Sequence, residues 1–121
     1  MSDDSDRSLA PETIAVHGFY DPARSEGAVK PPLFATSTFV AETPEQLRDS
    51  FTQAYGLDGG GARNPDHLIY SRVVNPNVEI FENRVAAFEG ADAAALFASG
   101  MAAISSTLLS LCRPGNCVLY T

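Results

Sequence analysis

The 121-residue sequence contains no tryptophan, one lysine (Lys30), two cysteines and no uninterrupted apolar run of bilayer length. Each shortage excludes something. A membrane-spanning helix needs roughly 18 or more consecutive apolar residues, so no membrane partner is expected. The N-terminus, Met1-Ser-Asp-Asp-Ser-Asp6, is acidic where a secretory signal is basic and then apolar; a cytoplasmic location is expected. Cys112 and Cys117 have four residues between them and no histidine nearby. They make neither a disulfide framework nor the paired clusters of a zinc site, and read as free thiols in a reducing compartment. Positive charge is also scarce. Eight basic against fifteen acidic side chains give a net charge of −7, which nucleic-acid phosphates would repel, so no nucleic acid is expected as a partner.

Known motifs are missing as well. There is no Gly-x-Ser-x-Gly elbow and no His-Glu-x-x-His pair, and His17 and His67 stand without partner motifs, as structural or surface residues. The run Gly59-Gly60-Gly61 lacks the following Gly-Lys-Ser/Thr of a phosphate loop. What remains is globular in composition: 45% of residues are apolar and 19% charged, enough for a real core in one domain.

Along the chain, residues 1–12 are polar and aperiodic and read as a mobile terminus. Residues 13–69 read as an N-terminal arm containing one helix and a glycine-rich loop. From Thr13 to Thr38, short apolar stretches alternate with the breakers Gly18, Asp21-Pro22, Gly27 and Lys30-Pro31-Pro32. That pattern suits extended chain, with polyproline-like geometry at Pro31-Pro32. Thr43-Pro44-Glu45-Gln46 is a capping box with proline at the first helical position, and Gly56 ends that helix. Asn75-Pro76 opens a second helix, in which Val78, Phe81, Val85 and Phe88 form an apolar stripe. Gly90 ends it.

Residues 70–121 then carry a βαβ pattern. Ala93–Phe97 is a short apolar run suited to a buried strand, Ala98-Ser99-Gly100 is a turn, and Met101–Leu111 is a helix. Pro114-Gly115 stops the helix, and Cys117–Thr121 reads as a second strand. Two strands leave open edges, so the pattern predicts the start of a larger α/β sheet.

Two segments could carry chemistry. At Ser99-Gly100-Met101 a helix N-terminus offers unpaired N–H groups and the positive end of the dipole to an anion such as phosphate. The plain alternative is that Ser99 caps the helix and Gly100 makes room for the turn. At Tyr70-Ser71-Arg72, a phenol and a guanidinium two residues apart share one face if the chain is extended, and both can address one phosphate. The alternative there is an ordinary surface Tyr-x-Arg.

In combination the motifs are far more specific. Tyr70-Ser71-Arg72 with Asn75-Pro76, Phe81-Glu82, Phe88-Glu89-Gly90-Ala91 and Ala98-Ser99-Gly100-Met101-Ala102-Ala103-Ile104 resembles the N-terminal part of the pyridoxal-phosphate-dependent Cys/Met metabolism family. That family includes cystathionine γ-synthase and γ-lyase, methionine γ-lyase and O-acetylhomoserine sulfhydrylase. Upstream, Thr13–Gly18, Gly27–Pro32 and Thr36–Phe39 match its opening arm, so the resemblance covers residues 13 to 121.

The resemblance implies an α/β chain: an N-terminal arm and the first, incomplete part (70–121) of a fold-type I transferase domain. In that domain a mostly parallel sheet carries helices on both faces and pyridoxal 5'-phosphate at its mouth. It implies that Gly100 and Met101, with Ser99, bind the cofactor phosphate within their own subunit, and that Tyr70 and Arg72 reach it from the neighbouring subunit. The implied reaction is γ-elimination or γ-replacement on a small sulfur amino acid or an activated homoserine. No catalytic residue falls within this chain, because the stacking tyrosine, the ring-nitrogen aspartate and the Schiff-base lysine of the family match nothing here. Tyr120 comes too early to be that tyrosine, and Lys30, ahead of Pro31-Pro32, does not match that lysine.

Three departures stand out. Asn77 replaces the family's usual threonine, with little effect expected. Asn116 replaces a common aspartate, and the loop from Leu57 to His67 is long. The implied partner is a further copy of the chain or a second chain carrying the rest of the domain. A non-catalytic module that docks on a full-length homologue is the rival reading.

Overall fold

Three of the four described helices begin where a short polar side chain can accept a hydrogen bond from the helix's own first turn. The computed structural model describes residues 6–57 and 68–119. Helix α1 is Pro11–His17, α2 is Pro44–Ala54, α3 is Pro76–Glu89 and α4 is Gly100–Leu111, with a 3₁₀ turn over Pro22–Ser25. Thr43 Oγ1 accepts from the Gln46 N–H at 3.1 Å, and the Gln46 side chain reaches back to the Glu42 N–H at 2.6 Å. Asn75 Oδ1 accepts from the Asn77 N–H at 2.9 Å, and Ser99 Oγ from the Ala102 N–H at 3.2 Å. Each bond satisfies one donor that a helix start leaves orphaned. Gly90, at φ +62°, closes α3 in the left-handed conformation that glycine adopts without strain.

Helix α1 replaces the extended chain expected for Thr13–Gly18. Pro11 presets its first turn, and Ile14 is buried. Its C-terminal carbonyls are held by α3: the Arg84 guanidinium donates to Gly18 O at 2.9 Å, Ala15 O at 2.9 Å and Val16 O at 3.3 Å. The side chain brings a cation to the negative end of the α1 dipole. Burial lowers the Arg84 pKa by desolvation. Such a long-range capping contact leaves no trace in local sequence pattern. Gly18 is also required for close approach, since a Cβ there would lie 2.9 Å from Ile14 O.

The polar terminus is tied down as well. Arg7 donates to Ala91 O at 2.7 Å and to Asp92 O at 3.2 Å, just beyond the end of α3. The Asp6 carboxylate accepts from the Phe19 N–H at 2.9 Å. Residues 6–12 are therefore anchored where a mobile terminus was expected, while residues 1–5 lie outside the described set.

From Ala28 to Phe39 the chain has no helix or strand ladder, and a tight turn is closed by Ala35 N–H to Leu33 O at 3.0 Å. This segment meets the stretch before α3 in one isolated antiparallel bridge, Thr38 to Tyr70, bracketed by Phe39 N–H to Ile69 O at 3.1 Å and Ser71 N–H to Ser37 O at 2.9 Å. Among the described residues there is no strand ladder. The apolar segments 93–97 and 117–119, expected as buried strands, are unladdered, with Leu119 at 94% exposure. A strand exists only through a neighbour's N–H and C=O groups, and no described segment pairs its backbone with these two. The sheet of the expected α/β fold is thus not formed among the described residues.

The buried apolar side chains are Ile14, Ile69, Val74 and Ala86. On α3 it is Ala86 that is buried, while Phe81 and Phe88 of the apolar stripe remain about half exposed. The chain exposes 9239 Å², against about 6300 Å² for a compact monomer of its mass.

Candidate functional site

Helix α4 starts in a manner that leaves two donors free. Ser99 uses its Oγ for the Ala102 N–H and its carbonyl for the Ala103 N–H at 3.1 Å. The N–H groups of Gly100 and Met101 have no partner among the described residues, and the first turn of α4 holds no acidic side chain that would neutralise the dipole. A Cβ built on Gly100 would meet no heavy atom within 4 Å. Packing therefore does not demand glycine at this position, and what its small size provides is open approach to the two amides. Ser99, Gly100 and Met101 thus lie together at the positive end of α4, with the Gly100 and Met101 amides unpartnered among the described residues.

Tyr70 and Arg72 come together by a different route from the one expected. The segment is a turn, closed by Val73 N–H to Tyr70 O at 2.8 Å, so alternate side chains do not share an extended face. Instead the Arg72 guanidinium carbon lies 5.2 Å from the centroid of the Tyr70 ring, within cation–π range. Neither side chain donates a hydrogen bond to another described residue, and Arg72 has no carboxylate partner among them. Phenol and guanidinium form a joined, exposed donor pair.

Helix α3 supports the segments that carry both groups. Its N-cap residue Asn75 donates to Ser71 Oγ at 3.1 Å, fixing the Tyr70–Arg72 turn. Nearly two turns into the helix, Glu82 Oε1 accepts from the Leu96 N–H at 2.7 Å, fixing the segment that leads into Ser99. Between them lies a cleft of about 460 Å³ lined by Arg72, Val78, Glu82, Leu96 and Phe97, among others.

Other candidates lie apart from this arrangement. Lys30 is exposed on the arm, and His17 is exposed on α1. Cys112 and Cys117 are free thiols, and no cluster of three metal-ligating side chains occurs among the described residues. No helix among them is long and apolar enough to cross a membrane. The glycine-rich stretch 58–67, with His67, and Tyr120 lie outside the described residues.

The start of α4, with two amides unpartnered among the described residues, and the separate phenol–guanidinium pair are both donor groups of a kind that suits an anion. The chain matches the family described as Cys/Met metabolism PLP-dependent enzyme over residues 12–121, and it belongs to that family. The family depends on pyridoxal phosphate, and membership implies fold-type I architecture. Among its relatives, L-methionine gamma-lyase of Pseudomonas putida is 41% identical over 107 residues, covering 88% of this chain and 24% of that protein. O-acetyl-L-homoserine sulfhydrylase of Leptospira meyeri is 35% identical, covering 91% of this chain and 23% of the relative. Canavanine gamma-lyase of Pseudomonas canavaninivorans is 34% identical, covering 94% and 26%. The chain therefore spans about a quarter of the length of the curated relatives it matches.

Proposed function

We propose that this chain supplies the cofactor-phosphate-binding portion of a pyridoxal-phosphate enzyme of sulfur amino-acid metabolism in the cytoplasm. The reaction is γ-elimination or γ-replacement on a small sulfur amino acid or an activated homoserine, the classes to which the relatives' names point. The observation that carries this reading is the pair of unpartnered N–H groups, Gly100 and Met101, at an un-neutralised helix start. They and the Ser99 hydroxyl hold the phosphate in their own subunit. Tyr70 and Arg72 reach the phosphate of a neighbouring subunit, the guanidinium giving charge and the phenol a further donor. When bound, the cofactor supplies the electron sink for breaking bonds at the substrate's α-carbon.

The chain's own residues bind and orient the cofactor. The amine that would join the cofactor covalently is not among them, because Lys30 sits on the arm ahead of two prolines. That lysine comes from a further part of the polypeptide or from a second chain, and the 9239 Å² of exposed surface supports assembly with more protein. Leu109 and Leu111 on α4, 81% and 76% exposed, are the specific support for the rival reading, a non-catalytic docking module.

The test is equilibrium dialysis of the protein, purified with its assembly intact, against pyridoxal phosphate and against unphosphorylated pyridoxal. Tight binding that depends on the phosphate, and falls roughly tenfold or more in Arg72→Ala (loss of a charge-assisted contact), supports the cofactor role. Equal affinity for the two compounds removes it and leaves the docking module.

A further inference from the structure

Beyond their mutual contact, neither Tyr70 nor Arg72 donates a side-chain hydrogen bond to another described residue, so both side chains inherit their positions from the turn that carries them. The hydrogen bonds of that turn run to the arm. Ser71, between the two, donates its N–H to Ser37 O at 2.9 Å and its hydroxyl to Thr36 O, and its Oγ accepts from Asn75 Nδ2. Asn75 Nδ2 also donates to Phe34 O at 3.1 Å. The placement of the turn thus depends on the register of the arm along the start of α3.

One side chain reads that register. Asn77 Oδ1 accepts from the Phe34 N–H at 2.8 Å, and Asn77 Nδ2 donates to Pro32 O at 2.8 Å. A carboxamide pairing with the C=O of one residue and the N–H two residues on copies the edge of a neighbouring strand. Prolines at 31 and 32 supply no N–H, so a slip of the arm by two residues would bring Pro32 opposite the Asn77 oxygen and leave it without a donor. Capping of α3 does not need this side chain, because Asn75 performs it.

We propose that Asn77 is a positioning residue for phosphate binding. It locks the arm in the one register that sets the Tyr70–Arg72 turn, and so places the phenol and guanidinium for an incoming phosphate ester. The inference rests on the cofactor reading of Tyr70 and Arg72.

The test uses the full chain in its assembled, pyridoxal-phosphate-binding form, with Asn77→Asp, Arg72→Ala and the double variant. Asn77→Asp keeps an acceptor for the Phe34 N–H and sets a carboxylate against Pro32 O. It is expected to weaken pyridoxal phosphate roughly tenfold, about the effect of one or two lost hydrogen bonds, with pyridoxal nearly unchanged. Because Asn77 acts through the turn, its effect shrinks strongly once Arg72 is alanine; such non-additivity marks coupled residues. Asn77→Thr, which retains a hydroxyl at the same point, recovers part of the affinity and covers the case in which the aspartate variant fails to fold. Equal losses for pyridoxal phosphate and pyridoxal, losses that multiply independently, or no loss in either Asn77 variant would each overturn the positioning role. Unchanged pyridoxal phosphate binding in Arg72→Ala has a different meaning: it removes the phosphate reading of that residue, and this inference with it.

Discussion

Replacing Arg84 with alanine is expected to detach α1 from α3. The guanidinium makes three hydrogen bonds to carbonyls at the end of α1, at 2.9, 2.9 and 3.3 Å. A hydrogen bond to a charged group contributes about 1.5–3 kcal/mol, but these three share one cation, and the two to Ala15 and Val16 are exposed. Water can replace part of what the exposed carbonyls lose; Gly18, which is buried, has no such substitute. The net cost works out at about 2–3 kcal/mol, dominated by the contact to Gly18 and by the loss of a cation at a helix C-terminus.

Chemical denaturation of the wild type, Arg84→Ala and Arg84→Lys at matched concentration measures it. Lysine keeps the charge without the three-pronged geometry and is expected to recover less than half of the loss. Amide exchange in α1 should rise with the alanine variant while that in α4 stays unchanged. Desolvation lowers the Arg84 pKa below its ordinary value. A base whose folded pKa is depressed disfavours its charged form in the fold, so this part of the stability would improve only on deprotonation in strong alkali. Between about pH 5 and 9 arginine stays charged, and the Arg84 contribution is therefore flat with pH. A loss below about 0.5 kcal/mol in Arg84→Ala, or full recovery by lysine, would refute the clamp.

Two glycines with ordinary φ angles should respond in opposite ways. Gly18→Ala forces a Cβ to within 2.9 Å of Ile14 O and should lower the thermal midpoint measurably. Gly100→Ala meets nothing within 4 Å, so stability should hold or rise slightly while affinity for pyridoxal phosphate falls, as dialysis would register. Ser99→Ala removes the cap on α4 and should cost about 1 kcal/mol of stability by denaturant titration, the usual loss for such a substitution. No change on that replacement would mean that α4 is held by other contacts.

What could be read from the sequence is what is local. Thr43, Asn75 and Ser99 cap their helices because a short polar side chain bonds an amide two or three residues ahead, and those spacings are visible in any ordering of the surroundings. For the same reason the start of α4 leaves the Gly100 and Met101 amides unpartnered among the described residues. Contacts distant in sequence escaped. Local pattern gives extended chain at α1 because the supports of that helix, Ile14 burial and the Arg84 clamp, depend on a helix some 70 residues away. Tyr70 and Arg72 meet through a turn and not through extended chain, and the closing bond of that turn is not announced by Tyr-Ser-Arg. Asn77 reads as a neutral replacement, because its bonds to Pro32 and Phe34 join segments that pattern alone does not bring near. The two apolar segments flanking α4 carry strand composition, but their ladders require partners that the described residues do not contain.

The central claim is that the start of α4 binds phosphate. Its most direct test is amide NMR of the assembled protein titrated with pyridoxal phosphate, pyridoxal and inorganic phosphate. The Gly100 and Met101 resonances should move, saturably, with both phosphate-bearing compounds and stay still with pyridoxal. Amide shifts confined to other residues, or identical responses to pyridoxal and its phosphate, would contradict the claim.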